Sequence, residues 1–189
     1  MNVGVVLTIE AKAAYLAVVL NEAGADVTVA SPSPFMVQDD VAAALIERGV
    51  TGYATSESPP EDAEREMERL LDWTLGNGSG VLVDDRAGLA ALLHTTPRNL
   101  LPNALGAPEE TTTGVAKMDA MQAEGVLEIP CLAANDARCK HLFDNRYGTG
   151  QAGRRHQDDS PVIKAGWWPR ESGSKRPRRS PGRLVQKRG

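Results

Sequence analysis

The first thirty residues alternate between apolar segments of strand length and one segment of helix length. Residues 3–7 and 27–30 are apolar runs, and residues 10–23 between them have the apolar spacing of a helix. Gly24 stands where a helix C-terminus favours glycine. A strand, a helix and a strand at this spacing predict a right-handed βαβ unit with parallel strands. Because parallel sheets are covered by helices, this limits the chain to α/β folds.

The same alternation continues to about residue 150. The sequence predicts helices at residues 41–48 and 62–75, a third strand at residues 50–53 and a buried strand at residues 81–83. It also predicts a helix ending near residue 124, a short strand near residues 127–129 and a helix that carries Lys140 and Asp144. We therefore predict a flavodoxin-like open parallel sheet flanked by helices.

The charge of the chain changes sign near residue 151. Residues 1–151 contain 10 Lys and Arg against 22 Asp and Glu, whereas residues 152–189 contain 11 against 3. The later part is rich in Arg, Lys, Ser, Pro and Gly, so we expect a disordered basic tail at residues 151–189. Its cations could bind nucleic acid weakly, with Trp167 and Trp168 stacking on bases. A basic tract without a fold motif is poor evidence for such binding.

The two cysteines, Cys131 and Cys139, are too few for a disulfide framework and too widely spaced for a zinc site. This favours a reducing compartment. No stretch is apolar over about 18 residues, and the first residues lack the regions of a signal peptide. We therefore expect a cytoplasmic protein with no membrane partner, and the sequence predicts no metal site.

The sequence E-E-T-T-T-G at residues 109–114 points most directly to a ligand. Threonine is unfavourable inside a helix, whereas a strand-to-helix turn would present hydroxyl and N–H groups to a ligand. An ordinary capped helix start is the alternative for this stretch taken alone. Asp84 and Asp85, which follow a predicted buried strand, allow a similar choice between a ligand contact and the polar end of a strand.

Four blocks in a shared order resemble the adenosylhomocysteinase family, the S-adenosyl-L-homocysteine hydrolases. They are Q-D-D-V-A-A-A-L at residues 38–45, V-D-D at residues 83–85, E-E-T-T-T-G at residues 109–114, and N-D followed by K-x-x-x-F-D-N-x-Y-G at residues 135–148. Each block alone is weak, and their order over residues 3–150 carries the resemblance. It implies that residues 1–150 are part of the substrate-binding domain of that family.

The resemblance also implies a reaction and its residues. The family reversibly hydrolyses S-adenosyl-L-homocysteine to adenosine and L-homocysteine, using bound NAD to oxidise the ribose 3′-hydroxyl. The implied catalytic residues are Asp85, Lys140 and Asp144. The implied substrate-binding residues are Glu10, Asp85, Glu110, Lys140 and Asp144. The implied NAD contacts are Thr111, Thr112, Thr113 and Asn145. From spacing alone, Lys140 and Asp144 would be a surface i,i+4 pair worth about 0.3–0.5 kcal/mol.

The chain departs from the family pattern in three stretches and in its later part. Thr8 and Ala13 stand where the family's first loop has a histidine and a threonine, and the Asn, Ser and Thr of the family's N-x-x-S-T-Q-D are absent from residues 33–39. The family's D-D-G-G-D is D-D-R-A-G at residues 84–88, so Arg86 and Ala87 replace two glycines. The A-G-K strand and the G-x-G-x-x-G turn of the family's NAD domain have no counterpart in the sequence. We therefore expect the family's chemistry in the lineage and no hydrolase activity from this chain alone.

Three interpretations of function remain open at this point. The first is a truncated and diverged relative of the adenosylhomocysteinases, with adenosine or S-adenosylhomocysteine as its ligand. The second is a binding module that holds adenosine or docks on a full-length homologue. The third is a non-functional remnant that is read out of frame after about Gly150, because a shifted reading of the Trp167-Trp168-Pro169 codons gives an apolar run ending in alanine.

Overall fold

The computed structural model of the chain describes residues 1–96, 99–149 and 184–185. Strands β1 to β7 are Asn2–Val6, Asp26–Ala30, Thr51–Gly52, Gly80–Val83, Ala104–Glu109, Cys131–Ala133 and Leu184–Val185. Helices α1 to α5 are Ala11–Glu22, Asp39–Glu47, Asp62–Leu75, Gly88–Thr95 and Thr112–Ala123. A π-helix, Lys140–Thr149, follows β6. In the described part of the chain, no helix is long and apolar enough to cross a membrane.

The strands form one sheet in the order β3-β2-β1-β4-β5-β6-β7. The first six strands are parallel, and β7 pairs with β6 in the antiparallel direction. Strand β3 has only two residues. Without it, the order of the parallel strands is that of flavodoxin, 2-1-3-4-5. The predicted open parallel α/β sheet is confirmed.

Two apolar cores cover the two faces of this sheet. The chain first adds strands on one side of β1 and then crosses to add β4, β5 and β6 on the other side, so right-handed connections place the helices on opposite faces. Side chains of α1 and α2, including Ala17 and Leu45, are buried against Val3 and Val27. Side chains of α3, α4 and α5 form the second core. Its members include Leu70, Leu71, Leu75, Leu89, Leu93 and Met118.

The described residues fall into two compact units. The first contains Met1–Ala133 together with β7, and the second contains the described residues from 134 to 149. The predicted division into a domain at residues 1–150 and a tail at residues 151–189 stays a prediction. Apart from Leu184–Val185, the predicted disordered tail lies outside the described residues.

Most predicted elements occur within one or two residues of their expected position, and helix α3 has the predicted bounds. The strand predicted near residues 127–129 is wrong. The strand begins at Cys131, because Ala107 N donates to the carbonyl of Pro130 at 2.9 Å and pairing with β5 continues from the next residue. Leu127 and Ile129 are apolar because they pack against the α3–α5 core from a loop.

Helix α4 and strand β5 were not predicted from the sequence. The strand has the sequence A-L-G-A-P-E, whose alanines, glycine and proline are poor strand formers. It is nevertheless an interior strand, paired on one side with β4 and on the other with β6. Tertiary pairing therefore overrides local propensity in this part of the chain.

Gly4 in the central strand β1 provides a test of how tightly helix α3 packs on the sheet. A Cβ atom at Gly4 would lie 2.6 Å from Leu70 Cδ2 and 2.7 Å from Thr74 Oγ1. We expect Gly4→Ala to lower the free energy of unfolding by about 1–3 kcal/mol, the usual cost of overpacking a core. Urea denaturation followed by circular dichroism measures this.

Gly52 in the edge strand β3 is the matched control. A Cβ atom there would meet its nearest neighbours at 3.7 Å, an ordinary van der Waals distance. Gly52→Ala should change the free energy of unfolding by less than about 1 kcal/mol. Equal effects of the two substitutions would contradict the tight packing inferred at Gly4.

Candidate functional site

Strands β1 and β4 are neighbours in the sheet but far apart in sequence. The chain adds β2 and β3 on one side of β1 and β4 to β6 on the other, so the order of the connections reverses between β1 and β4. Ligands of open α/β sheets bind beyond the carboxyl ends of the strands at such a point. The loops that leave β1, β4 and β5 at this edge carry Glu10, Asp85 and Glu110, respectively. Three of the predicted substrate-binding residues therefore follow three adjacent strands.

Glu109, the last residue of β5, is fully buried and connects the β4–α4 loop to the β5–α5 loop. Its carboxylate accepts hydrogen bonds from Arg86 N at 3.1 Å and Ala87 N at 2.8 Å. It also accepts from Thr111 N at 2.7 Å and from the Thr111 hydroxyl at 2.6 Å. Gly114 packs against the same carboxylate so closely that a Cβ atom there would overlap Glu109 Cδ.

Asp84 is the second fully buried carboxylate at this edge. It accepts hydrogen bonds from Leu89 N at 3.0 Å and Ala90 N at 2.8 Å, which are otherwise unpaired donors in the first turn of α4. The pKa of Asp84 is raised from its ordinary 3.8 to about 7. Burial is the largest cause and the charge of Glu109 adds to it, whereas the hydrogen bonds from Ala90 N and Leu89 N oppose the rise. The interpretation of Asp84 as the polar end of a strand is supported.

Arg86 and Ala87 both adopt left-handed backbone conformations, with φ of 59° and 51°. At these two positions the D-D-G-G-D pattern of the resembled family has glycines. Glycine reaches this conformation without the steric cost that a Cβ atom adds. The turn thus keeps a glycine-like backbone with two non-glycine residues, and Glu109 accepts the N–H groups of both.

Asp85 and Glu110 each follow directly on one of the buried carboxylates. Asp84 and Glu109 form a parallel bridge, and Glu110 N donates to Asp84 O at 3.1 Å. The Asp85 side chain is only 7% exposed, and its Oδ1 lies 3.8 Å from Arg86 Nε. Glu10 ends the loop after β1, with its Oε1 at 4.0 Å from Lys12 Nζ.

The three threonines after Glu110 differ in their surroundings. Thr111 is the N-cap of α5, and its hydroxyl accepts from Gly114 N and Arg86 N, each at 3.1 Å, while donating to Glu109. The capping alternative is therefore correct for Thr111. Thr112 and Thr113 are exposed in the first turn of α5. The predicted contact of these residues with NAD stays a prediction.

The second compact unit contains the other predicted site residues. Lys140 Nζ lies 3.2 Å from Asp144 Oδ2, and their side chains are 16% and 28% exposed. Lys140 also donates to Oδ1 of Asn135 at 3.4 Å, and Asn135 is itself buried and donates to Asp136 at 3.0 Å. The pair is thus partly buried and held by a third residue, unlike a freely solvated i,i+4 pair. Asn145 Oδ1 is buried without a hydrogen-bond partner in the described part of the chain.

A cavity and a buried cysteine lie apart from the predicted site residues. A cavity of about 460 Å³ lies between α1 and α2, lined mostly by apolar side chains such as Ala14, Val18 and Val41, and none of the predicted site residues lines it. Cys131 is free and buried, and burial together with the nearby carboxylates raises its pKa to about 12, so its thiol stays neutral. The charged residues that line the cavity are Glu22, Asp40 and Arg48, and neither feature contains a residue predicted for the site.

Sequence reasoning assigned no role to two residues that organise the predicted sites, Glu109 and Asn135. Glu109 was missed because β5 was not predicted, so the end of that strand could not be located. The available signal was the pair of acidic residues immediately before the threonines, since a carboxylate at a strand end can accept the N–H groups of the next loop. For Asn135, the signal was its place in the N-D block.

A comparison with sequence models of protein families finds one family. The model described as AdoHcyase, S-adenosyl-L-homocysteine hydrolase, matches residues 2–104 and 96–166. These two overlapping segments cover well over half of the chain.

Curated relatives match the same part of the chain. S-inosyl-L-homocysteine hydrolase of Methanocaldococcus jannaschii is 42% identical over 152 residues. The adenosylhomocysteinases of Thermotoga maritima and Archaeoglobus fulgidus are 40% and 45% identical over 151 residues. Each alignment covers 80% of this chain and 36% of the relative. The chain therefore spans about a third of the length of the curated relatives it matches.

The strain at Arg86 can be measured by comparing two substitutions that remove the same side chain. Arg86→Gly removes both the side chain and the steric cost of the left-handed backbone, whereas Arg86→Ala removes only the side chain. We expect the glycine variant to have a free energy of unfolding about 1 kcal/mol higher than the alanine variant in urea denaturation. A glycine variant no more stable than the alanine variant would show that the turn is not strained.

The raised pKa of Asp84 makes stability depend on pH. The folded chain retains a proton that the unfolded chain releases above pH 3.8, so the contribution of Asp84 is full below that pH and is lost as pH rises through about 7. The difference between the two pKa values corresponds to about 4 kcal/mol. Asn at position 84 cannot titrate. The free energy of unfolding, measured by urea denaturation, should therefore fall more between pH 4 and pH 8 in the wild type than in Asp84→Asn. Parallel pH profiles for the two proteins would contradict the assignment.

Proposed function

The chain belongs to the S-adenosyl-L-homocysteine hydrolase family, and on that premise we propose that it binds the nucleoside part of an S-nucleosyl-L-homocysteine. The proposed ligand is adenosine or S-adenosyl-L-homocysteine. The observation that carries this proposal is the placement of Glu10, Asp85 and Glu110 after three adjacent parallel strands at the point where the connections reverse direction. Carboxylates accept hydrogen bonds from ribose hydroxyls and from amino groups of a purine.

Each carboxylate has a distinct proposed role. Asp85 is largely buried, and we assign it to a ribose hydroxyl, as an acid or base or as a polar contact. Glu110 is half-buried beside it and is proposed to bind the ribose. Glu10 is the proposed third substrate contact. The support for these roles is the family membership together with the position of each residue at the strand ends.

Lys140 and Asp144 are the proposed contacts to the ribose 2′ and 3′ oxygens. Lys140 is a donor with its charge balanced by Asp144 at 3.2 Å and its position limited by Asn135 at 3.4 Å. A partly buried ammonium held in this way can stabilise negative charge that develops on a ribose oxygen. This favours a functional over an incidental ion pair.

For a protein of the relatives' full length, 36% of which this chain matches, we propose hydrolysis of S-adenosyl-L-homocysteine to adenosine and L-homocysteine with bound NAD. NAD, when bound, supplies the hydride acceptor for oxidation at the ribose 3′ carbon. Thr112 and Thr113, which are exposed residues, fit contacts to such a cofactor. Asn145 is a further proposed contact, because its buried Oδ1 has no hydrogen-bond partner among the described residues. The Thr111 hydroxyl already makes three hydrogen bonds within the chain, so it fits less well.

The relatives raise a second candidate for the ligand. The Methanocaldococcus jannaschii protein is named for S-inosyl-L-homocysteine, whose base is hypoxanthine rather than adenine. Docking on a full-length homologue is a further proposal, supported by the apolar cavity between α1 and α2. We also propose the cytoplasm as the compartment, because Cys131 and Cys139 are both free.

Isothermal titration calorimetry with adenosine and inosine tests the proposed ligand class. We expect one of the two to bind, and Asp85→Asn and Glu110→Gln each to weaken that binding by about tenfold or more. The reason is that a hydrogen bond to a charged group contributes about 1.5–3 kcal/mol. The preferred nucleoside distinguishes the adenosyl from the inosyl proposal.

Glu47→Gln is the matched control, because Glu47 is an exposed carboxylate at the C-terminal end of α2 and follows none of the three strands. The nucleoside affinity of Glu47→Gln should equal that of the wild type. Binding that is unchanged in both site variants would reject the proposed site. If neither nucleoside binds while the chain co-elutes with a full-length relative, docking would be the better explanation.

A further inference from the structure

The β4–α4 and β5–α5 loops are connected through one side chain. Glu109 lies on β5, yet two of its hydrogen bonds go to N–H groups of the β4–α4 loop, Arg86 at 3.1 Å and Ala87 at 2.8 Å. Its other two go to the backbone and hydroxyl of Thr111 in its own loop. A carboxylate with hydrogen bonds to both loops leaves little freedom for either loop to move separately.

Two further hydrogen bonds join the β4–α4 loop to residues that follow Glu109 in the chain. The Thr111 hydroxyl accepts from Arg86 N at 3.1 Å, and Lys117 Nζ donates to the Ala87 carbonyl at 3.4 Å. All of these contacts end on residues 86 and 87, which are the two with left-handed backbones. A costly backbone conformation persists only where its surroundings determine it, and such conformations concentrate at functional sites.

The connected loops carry the two acidic residues assigned to the ligand. Asp85 immediately precedes the two residues whose N–H groups Glu109 accepts, and Glu110 immediately follows Glu109. Binding residues must be held near their productive geometry by neighbours whose own positions are fixed. Glu109 meets that condition, since it is fully buried, lies at the end of an interior strand and packs against Gly114.

We propose that Glu109 is a positioning residue that fixes Asp85 and Glu110 relative to each other for ligand binding. This inference rests on the proposed function, because it assigns Asp85 and Glu110 to one ligand. Glu109 itself is not a ligand contact, since its carboxylate is enclosed by the chain. Its effect on binding is transmitted through the backbone of residues 85–87 and 110–111.

The first measurement does not depend on a ligand. In ¹⁵N-labelled wild-type protein, the amides of Arg86 and Ala87 should be protected from hydrogen exchange because they donate to Glu109. In Glu109→Gln, the amide group cannot accept all of these bonds, so we expect this protection to fall and the signals of both Asp85 and Glu110 to shift. Unchanged protection of Arg86 and Ala87 would overturn the proposal.

The second measurement is the nucleoside affinity, determined by calorimetry. We expect Glu109→Gln to weaken binding by about tenfold or more, because small misplacements of binding groups have large effects. Leu45→Ala is the control for lost stability, since Leu45 is buried in the core on the α1–α2 side, away from both loops. Leu45→Ala should lower the melting temperature yet leave the nucleoside affinity of the folded protein unchanged. Equal loss of affinity in the two variants would mean that Glu109 acts only through stability.

A second variant keeps the test decisive if Glu109→Gln does not fold. Gly114→Ala leaves the charge of Glu109 intact but adds a Cβ that would overlap the Glu109 carboxyl carbon, so it displaces the carboxylate. The same loss of amide protection and of affinity is expected. If the wild type binds neither nucleoside, the proposed function fails, while the exchange data still decide whether Glu109 joins the two loops.

Discussion

Burial of two carboxylates at the ends of neighbouring strands is the interaction on which the candidate site depends. Asp84 and Glu109 are both fully buried, and charge is costly to bury unless it is hydrogen-bonded. Backbone N–H groups provide those bonds, from the first turn of α4 to Asp84 and from two loops to Glu109. The carboxylates therefore determine where α4 and α5 begin, and with them the direction in which Asp85 and Glu110 leave the sheet.

The same arrangement explains how the chain tolerates residues that look unsuitable. Arg86 and Ala87 occupy left-handed backbone positions that glycine would adopt at lower cost, and the hydrogen bonds of Glu109 hold them there. Gly114 remains glycine for a different reason, because any side chain would overlap the Glu109 carboxylate. Two departures from the family's D-D-G-G-D pattern are thus accommodated by hydrogen bonds at the carboxyl edge of the sheet. The Lys140–Asp144 pair belongs to the second compact unit and is held independently, through Asn135.

Local sequence pattern was sufficient to predict the helices and strands whose apolar periodicity is clear. The βαβ unit at the start, helix α3 and the strand before Asp84 have clear periodicity, and all occur close to their predicted bounds. Strand β5 lacks that signal because its residues have low strand propensity. Strand β6 was placed a few residues too early because Leu127 and Ile129 are apolar for packing rather than for strand pairing. In the site, the acidic residues were predicted from their blocks, whereas Glu109 was not, since its role requires knowing which strand it ends.

The sequence by itself determined the class of fold and the family, because hydrophobic periodicity and ordered motifs are local properties of the chain. It also determined which residue types follow the strands at the carboxyl edge of the sheet. Only the tertiary structure decided that the side chains of Glu109 and Thr111 bond to each other and to the neighbouring loop, beside the two residues that we propose as ligand contacts, Asp85 and Glu110. That division depends on strand pairing, which brings residues 84–87 next to residues 109–111 although more than twenty positions separate them in the chain. Hydrogen bonds over that separation have no signature in local sequence, since either loop alone would satisfy its N–H groups with water.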